Sequence, residues 1–190
     1  STTSMKKIVV FASGNGSNFQ TIVEKLHKQA CEVALLVCDK PGAYCIERAH
    51  KMNIPTFVFN PKEYSSKEAF EQEICTQLIP LNPDLIVLAG YMRIVGQTLL
   101  DVYEGKIINI HPALLPAFPG RDGITDALKY GVKIMGVTVH YVDSGIDTGM
   151  IIDQVCFKRT GLETREEIEQ KIHDLEHELY PTVIKQLLNI

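Results

Sequence analysis

The stretch Lys6-Lys7-Ile8-Val9-Val10-Phe11-Ala12-Ser13-Gly14-Asn15-Gly16-Ser17-Asn18 decides the fold class. An apolar run rich in β-branched residues is stopped by turn formers and gives way to a helical pattern over residues 19–28. β-Branched side chains fit a pleated, buried strand, and Gly and Asn accept the backbone of a tight turn. Strand, glycine-rich loop and helix form the opening unit of a parallel α/β sheet. The unit recurs. Residues 32–38 read as strand and 43–52 as helix, then 56–59 as a short strand and 65–79 as helix. Residues 84–89 follow as strand, 97–102 as a short helix and 106–110 as strand. This alternation predicts an open, doubly wound, mostly parallel α/β sheet of Rossmann-like type, covered on both faces.

Further on the pattern changes. Residues 134–141 and 150–157 read as strands joined by a loop of residues 142–149 with no helix between them, which predicts an antiparallel edge. Thr164 and Glu167 have the spacing of a capping box and open a long amphipathic C-terminal helix running nearly to Ile190. At 190 residues the chain suits a single domain over 1–190. Residues 1–4 read as a loose or appended end, with Met5 as the natural start.

Composition narrows the function classes. A net charge of −4 without a basic run speaks against a nucleic-acid partner. No apolar run approaches the roughly 18 residues of a membrane span, so no membrane partner is expected. The five cysteines include no C-x-x-C pair and no metal-ligand spacing, which points to core thiols in a reducing, cytoplasmic setting.

Open α/β sheets bind ligands beyond the carboxyl ends of their strands, so the loops there carry the functional reading. In Asn109-Ile110-His111-Pro112, residues two apart share a strand face, which sets Asn109 beside His111 at about 6–7 Å. An amide donor beside a titratable imidazole suits a developing oxyanion with proton transfer, the chemistry of a carbonyl. The alternative is a turn asparagine and a hydrogen-bonded core histidine. The polar loop Asp143-Ser144-Gly145-Ile146-Asp147 raises the functional reading, since a carboxylate beside His111 favours the imidazolium.

Gly14 to Asn18 enters the first helix, where free amides favour an anion. Phe19 stands where the dinucleotide fingerprint needs its third glycine, while Asp39 keeps a nucleotide reading open. A plain helix cap by Ser17 or Asn18 is the modest alternative. His173 and His177 share a helix face, but without a glutamate directly after the first histidine they read as solvated surface rather than a metal site. No metal is expected.

These motifs together resemble the folate-dependent formyltransferases, and among them the phosphoribosylglycinamide formyltransferase family, also called glycinamide ribonucleotide transformylases. The resemblance rests on residues 13–18, on Leu88-Ala89-Gly90-Tyr91-Met92-Arg93, on Asn109 to Pro116 and on Val139-His140-Tyr141-Val142 leading to Asp147-Thr148-Gly149. It implies direct transfer of a formyl group from 10-formyltetrahydrofolate to the amine of glycinamide ribonucleotide in purine biosynthesis. Asn109 would bind the formyl oxygen, His111 would donate a proton, and Asp147 would set the charge of His111. Gly16, Ser17 and Asn18 would hold the ribose phosphate, and Glu176 would contact the acceptor. Folate would lie along Met92, Arg93, Ile94 and Val95 and against Asp143, Ser144, Gly145, Ile146 and Asp147, with Asn109 at its formyl end and Lys67 near its glutamate tail. Its partners would be small molecules, and the chain a monomer or homodimer. The rival readings are a formyltetrahydrofolate hydrolase, another folate formyltransferase or, from a different class, a nucleotide-binding module. Residues depart from the family at Ala113, often serine, and at Arg121-Asp122-Gly123, where some members have a histidine.

Overall fold

The computed structural model describes residues 5–190; the expectation for residues 1–4 lies outside them. Seven strands form one sheet in the order β3-β2-β1-β4-β5-β6-β7. Strands β1 (Lys7–Ala12), β2 (Glu32–Cys38), β3 (Thr56–Val58), β4 (Leu85–Leu88) and β5 (Ile107–His111) are parallel, and β6 (Ile134–Tyr141) and β7 (Ile151–Lys158) add an antiparallel edge. The doubly wound sheet with its antiparallel edge and long last helix is therefore present. The chain reverses its winding at β1, which pairs with β2 on one side and β4 on the other. A ligand crevice opens at such a switch point.

β1 is buried along nearly its whole length because helices cover both faces. On one face α1 (Ser17–Leu26), α2 (Tyr44–Lys51) and the last helix, α6 (Arg165–Leu188), close a core around Ile8, Val10, Phe19, Ile22 and Tyr180. On the other, α3 (Lys67–Leu78) and α4 (Gln97–Tyr103) cover Val9, Phe11, Ile74 and Leu99. Phe19 stands where a dinucleotide fold has glycine for close helix–strand packing; here its ring is wholly buried in the core between α1 and the sheet.

The sequence pattern missed α5 (Gly123–Tyr130), whose amphipathic stretch is only eight residues long and follows a loop rich in proline and glycine. The capping box on α6 is formed, with Thr164 Oγ1 accepting from the Glu167 amide and the Glu167 carboxylate accepting from the Thr164 amide at 3.1 Å each. Of the cysteines, Cys31, Cys38, Cys45 and Cys75 are buried and free, and Cys156 is exposed.

Tyr180 ties α6 to the middle of the sheet. Its buried hydroxyl donates to the Leu88 carbonyl at 2.7 Å and lies 3.3 Å from that of Ile108, at the ends of β4 and within β5. Tyr180→Phe leaves the Leu88 carbonyl without this partner. It is expected to lower the free energy of unfolding in urea by about 1–3 kcal/mol, with the fold retained.

Candidate active site

The crevice beyond β1, β4 and β5 is an open cleft of about 840 Å³. Its lining runs from Gly16, Ser17 and Asn18, past Met92 to Val95, to Asn109, His111 and Asp147, and includes Glu176 from α6.

Pairing β6 antiparallel to β5 builds the centre of the site. The register sets Asn109 opposite His140, and the Asn109 amide nitrogen lies 3.4 Å from His140 Nε2. His140 Nδ1 is 2.8 Å from the Tyr141 carbonyl, which only accepts, so Nδ1 carries a proton. By the same argument His111 Nε2, 2.7 Å from the Phe118 carbonyl, donates there. The remaining nitrogens face one carboxylate: Asp147 Oδ2 lies 3.6 Å from His111 Nδ1, and Oδ1 lies 3.5 Å from His140 Nε2. Both imidazoles are almost fully buried. Asp147 thus serves two histidines. Reasoning from the sequence expected one: it met His140 only as part of a motif, and its place beside Asn109 and Asp147 appears once β6 is paired with β5.

The hairpin loop delivers Asp147 by an unexpected route. Since β6 runs antiparallel, its end at Tyr141 lies beside Ile108, and the Val142 amide donates to the Ile107 carbonyl at 2.9 Å. The loop starts beside the lower part of β5 and still brings Asp147 to His111. It is internally braced: Asp143 Oδ1 accepts from the Gly145 amide at 2.9 Å and the Thr148 hydroxyl at 2.7 Å. The Thr148 and Gly145 hydrogen bonds hold the Asp143 carboxyl below its ordinary pKa. Gly149 closes the turn where a Cβ would stand 1.7 Å from the Tyr141 carbonyl oxygen, so no side chain fits. Asp147 itself has φ 53°, a left-handed conformation that Asp accepts more readily than most residues.

Burial acts to raise the pKa of Asp147, but donors overcome it. His140, the Gly120 amide at 2.8 Å and the charge of His111 hold the carboxyl below its ordinary value of 3.8. From the third side Gly123, the first residue of α5, packs on the ring: a Cβ there would lie 3.1 Å from His111 Nε2. A side chain at Gly123 would crowd both His111 and Ala113.

At the other end of the cleft Gly16 is the N-cap of α1, with φ 78° and no side chain capping the first turn. Capping by Ser17 or Asn18 is therefore excluded, and the amides of the first turn remain free for an anion. Ser17 Oγ lies 3.3 Å from His177 Nε2, and Glu176 Oε1 lies 2.9 Å from His173 Nδ1. The Glu176 hydrogen bond pushes the His173 pKa up, and burial pushes that of His177 down. The two histidines expected to be plain surface are thus engaged: His173 lines the cleft beside Glu176, and His177 meets Ser17 of α1. Among the described residues no cluster of three or more His, Cys, Asp or Glu side chains is placed to hold a metal ion.

Asp39, for which the sequence left a nucleotide contact open, is engaged by two side chains of neighbouring loops. Its carboxylate accepts from the Ser13 hydroxyl at 2.5 Å and from Arg93 Nε at 2.8 Å, and Ser13 Oγ accepts from the Met92 amide at 2.9 Å. These bonds lock the loops after β1, β2 and β4 together. The slot at Met92 to Val95 is also held from behind. Lys67 lies outside the cleft lining and donates to the Ile94 carbonyl at 2.8 Å, while buried Glu71 accepts from the Gly96 amide at 2.8 Å. Burial pushes the Glu71 pKa up. Met92, Ile94 and Ile146 are each about half exposed, at 51, 50 and 54 %, and present apolar groups that a flat hydrophobic ligand would cover. Ser144 sits exposed at the loop tip and does not line the cleft.

An amide donor, two imidazoles and a shared carboxylate beside a free helix N-terminus define a group-transfer site for a carbonyl substrate with an anionic partner. The chain belongs to the formyl transferase family, whose model, described as "Formyl transferase", matches residues 6–184. It is 58 % identical over 98 % of its length to the phosphoribosylglycinamide formyltransferase of Bacillus subtilis, of which it covers 96 %. The solved structure of glycinamide ribonucleotide transformylase 1 from Geobacillus kaustophilus is 56 % identical with a TM-score of 0.92, over 97 % of this chain and 99 % of that one. A trifunctional purine biosynthetic protein of Drosophila melanogaster is 36 % identical over 97 % of this chain, which spans 14 % of that longer protein.

Because the folded pKa of Asp147 is depressed, ionised Asp147 stabilises the fold above its ordinary pKa of 3.8, and this contribution is lost as pH falls through the lower folded value. Asp147→Asn should therefore be less stable than the parent in urea at pH 5–7, with the gap closing in strong acid. A carboxyl NMR titration of Asp147 should show a midpoint below 3.8.

Proposed function

We propose that the protein transfers the formyl group of 10-formyltetrahydrofolate to the amine of glycinamide ribonucleotide, a step of purine biosynthesis carried out in the cytoplasm. The observation that carries this reading is that Asn109, His111 and Asp147 share one cleft with the amide-lined start of α1. The likeness to formyltransferases of that substrate supports it.

The amine of the acceptor attacks the formyl carbon, a new C–N bond forms, and the carbonyl oxygen takes the negative charge of a tetrahedral intermediate. That charge is the main barrier, since attack by a neutral amine separates charge. The Asn109 amide and His111 stand at the end of β5 to stabilise the oxyanion. Asp147 sits against the imidazole, its Oδ2 3.6 Å from His111 Nδ1, and orients the ring toward the reacting carbonyl. Collapse breaks the bond to N10 of the folate while the proton lost by the amine moves to N10, so the two products leave with no net change in protons. Gly16, Ser17 and Asn18 hold the ribose phosphate on the first-turn amides, and Glu176 engages the acceptor near its amine. Met92 to Val95 and the 143–147 loop cover the folate, and Lys67 supports that slot through the Ile94 carbonyl.

The test is an assay of both substrates with product analysis. Formylated nucleotide should appear only when nucleotide and formyl donor are both present. Free formate released without the nucleotide would replace this reading with a hydrolase, and tight NAD binding without folate binding would replace it with a nucleotide-binding module. Asn109→Ala should lower kcat by about 10²–10³-fold, the usual cost of one oxyanion donor. Asp147→Asn should lower kcat far more than it raises the KM for the nucleotide, read from steady-state kinetics of the two substrates.

A further inference from the structure

Arg48 on α2 lies outside every sequence motif described above, and it does not line the cleft. Its guanidinium is nevertheless committed to the loop that does. Nε donates to the Asn15 carbonyl at 2.7 Å, Nη2 donates to Asn15 Oδ1 at 2.8 Å, and Nη1 donates to the Gln20 side chain on the first turns of α1. The guanidinium also rests over the Tyr44 ring, 4.7 Å from its centroid, which fixes its plane.

The neighbours complete the clamp. The Cys45 amide donates to the Gly14 carbonyl at 2.9 Å. Gly16 is squeezed against the same helix: a Cβ there would stand 2.5 Å from Cys45 Cβ and 3.5 Å from Arg48 Cδ. The first residues of α2 thus grip Gly14, Asn15 and Gly16 in turn, and Arg48 grips the middle one.

The consequence follows from peptide geometry. In a trans peptide the C=O and N–H point in opposite directions. Drawing the Asn15 carbonyl toward Arg48 therefore turns the Gly16 amide away from α2, at the head of the free first-turn amides of α1. A loop held this way need not be ordered by the ligand, and that ordering cost otherwise comes out of affinity. Lysine cannot substitute. Its single ammonium lacks the planar fork that meets two acceptors on Asn15 and a third on Gln20.

We propose that Arg48 is a positioning residue for the nucleotide substrate, acting through Asn15 and Gly16 to hold the loop amides in place for a phosphate without touching the substrate. This rests on the reading of the α1 loop as the phosphate site of the acceptor. It predicts a defect confined to the phosphorylated acceptor.

The experiment compares the parent with Arg48→Met, Arg48→Lys and Gln20→Met, using the 5′-phosphorylated acceptor and its dephosphorylated riboside, with a thermal melt of each protein. Arg48→Met keeps the apolar stem against Gly16 and should raise the KM for the nucleotide by about 10- to 100-fold, the worth of charge-assisted hydrogen bonds. The kcat and the KM for the folate should be little changed. Arg48→Lys should fall between, and Gln20→Met, which leaves Asn15 clamped, should show the smallest rise. The kcat/KM for the riboside, which has no phosphate for the loop to hold, should be the same in all four proteins. Equal losses on both acceptors would show a general structural prop and overturn the proposal, as would no loss on either. If Arg48→Met does not fold, the same comparison is decided by the other two variants. A parent protein that uses both acceptors equally well would overturn the phosphate-site reading itself, a result distinct from the others.

Discussion

The antiparallel pairing of β6 with β5 is the constraint on which the site depends. A sixth parallel strand would have needed a crossover, and its neighbour across from Asn109 would have been set by that helix. Running β6 the other way places His140 directly opposite Asn109 and lets a short hairpin loop return Asp147 to His111. One ladder therefore sets the amide, both imidazoles and the carboxylate at once. The buried hydroxyl of Thr138, opposite His111, secures the same ladder two pairs further on. It donates to the Ala113 carbonyl at 2.7 Å and accepts from the Leu115 amide at 3.1 Å, so the segment after His111 is fastened to β6 as well.

The second half of the cleft rests on a different kind of link. Parallel strands leave their carboxyl-end loops independent of one another, because each passes into its own helix. Here Asp39 bridges Ser13 and Arg93, and Ser13 in turn receives the Met92 amide. A buried carboxylate with an arginine partner and a hydroxyl donor satisfies its lone pairs, which offsets the cost of burying charge. The glycine-rich loop after β1 and the apolar slot after β4 are thereby held at a fixed separation. Two ligands that must exchange a group need such a fixed span, since small misplacements at the reacting atoms are costly.

Much of this was legible in the sequence, for physical reasons. Buried parallel strands read as unbroken apolar runs, so β1, β2 and β4 announce themselves, and the Thr164–Glu167 spacing marks the start of α6. Asn109 and His111 are readable as a pair because a strand has a period of two. What stayed hidden depends on pairing between distant segments. His140 is an ordinary strand histidine until its partner is known. Arg48 and Glu71 carry no motif, since each acts by holding a loop whose sequence lies elsewhere. The bridging role of Asp39 was open for a related reason: a carboxylate at a strand end looks the same in the sequence whether or not an arginine from another loop meets it. The short helix α5 escaped because eight residues show little periodicity, and with it went the contact of Gly123 on His111.

The reach of α6 bears on how the protein comes into being. Tyr180 bonds a carbonyl 92 positions earlier in the chain, and Ser17 meets His177 across 160. Contacts of such long range form late, because the entropy of closing the intervening chain must be overcome before they return any energy. During synthesis the sheet strands emerge before α6, so the wall of the cleft that holds Glu176 is missing until all seven strands have been made. A nascent chain stopped short of α6 would have all seven strands, an apolar face over Ile8 and Val10 covered only by α1 and α2, and only part of its active site.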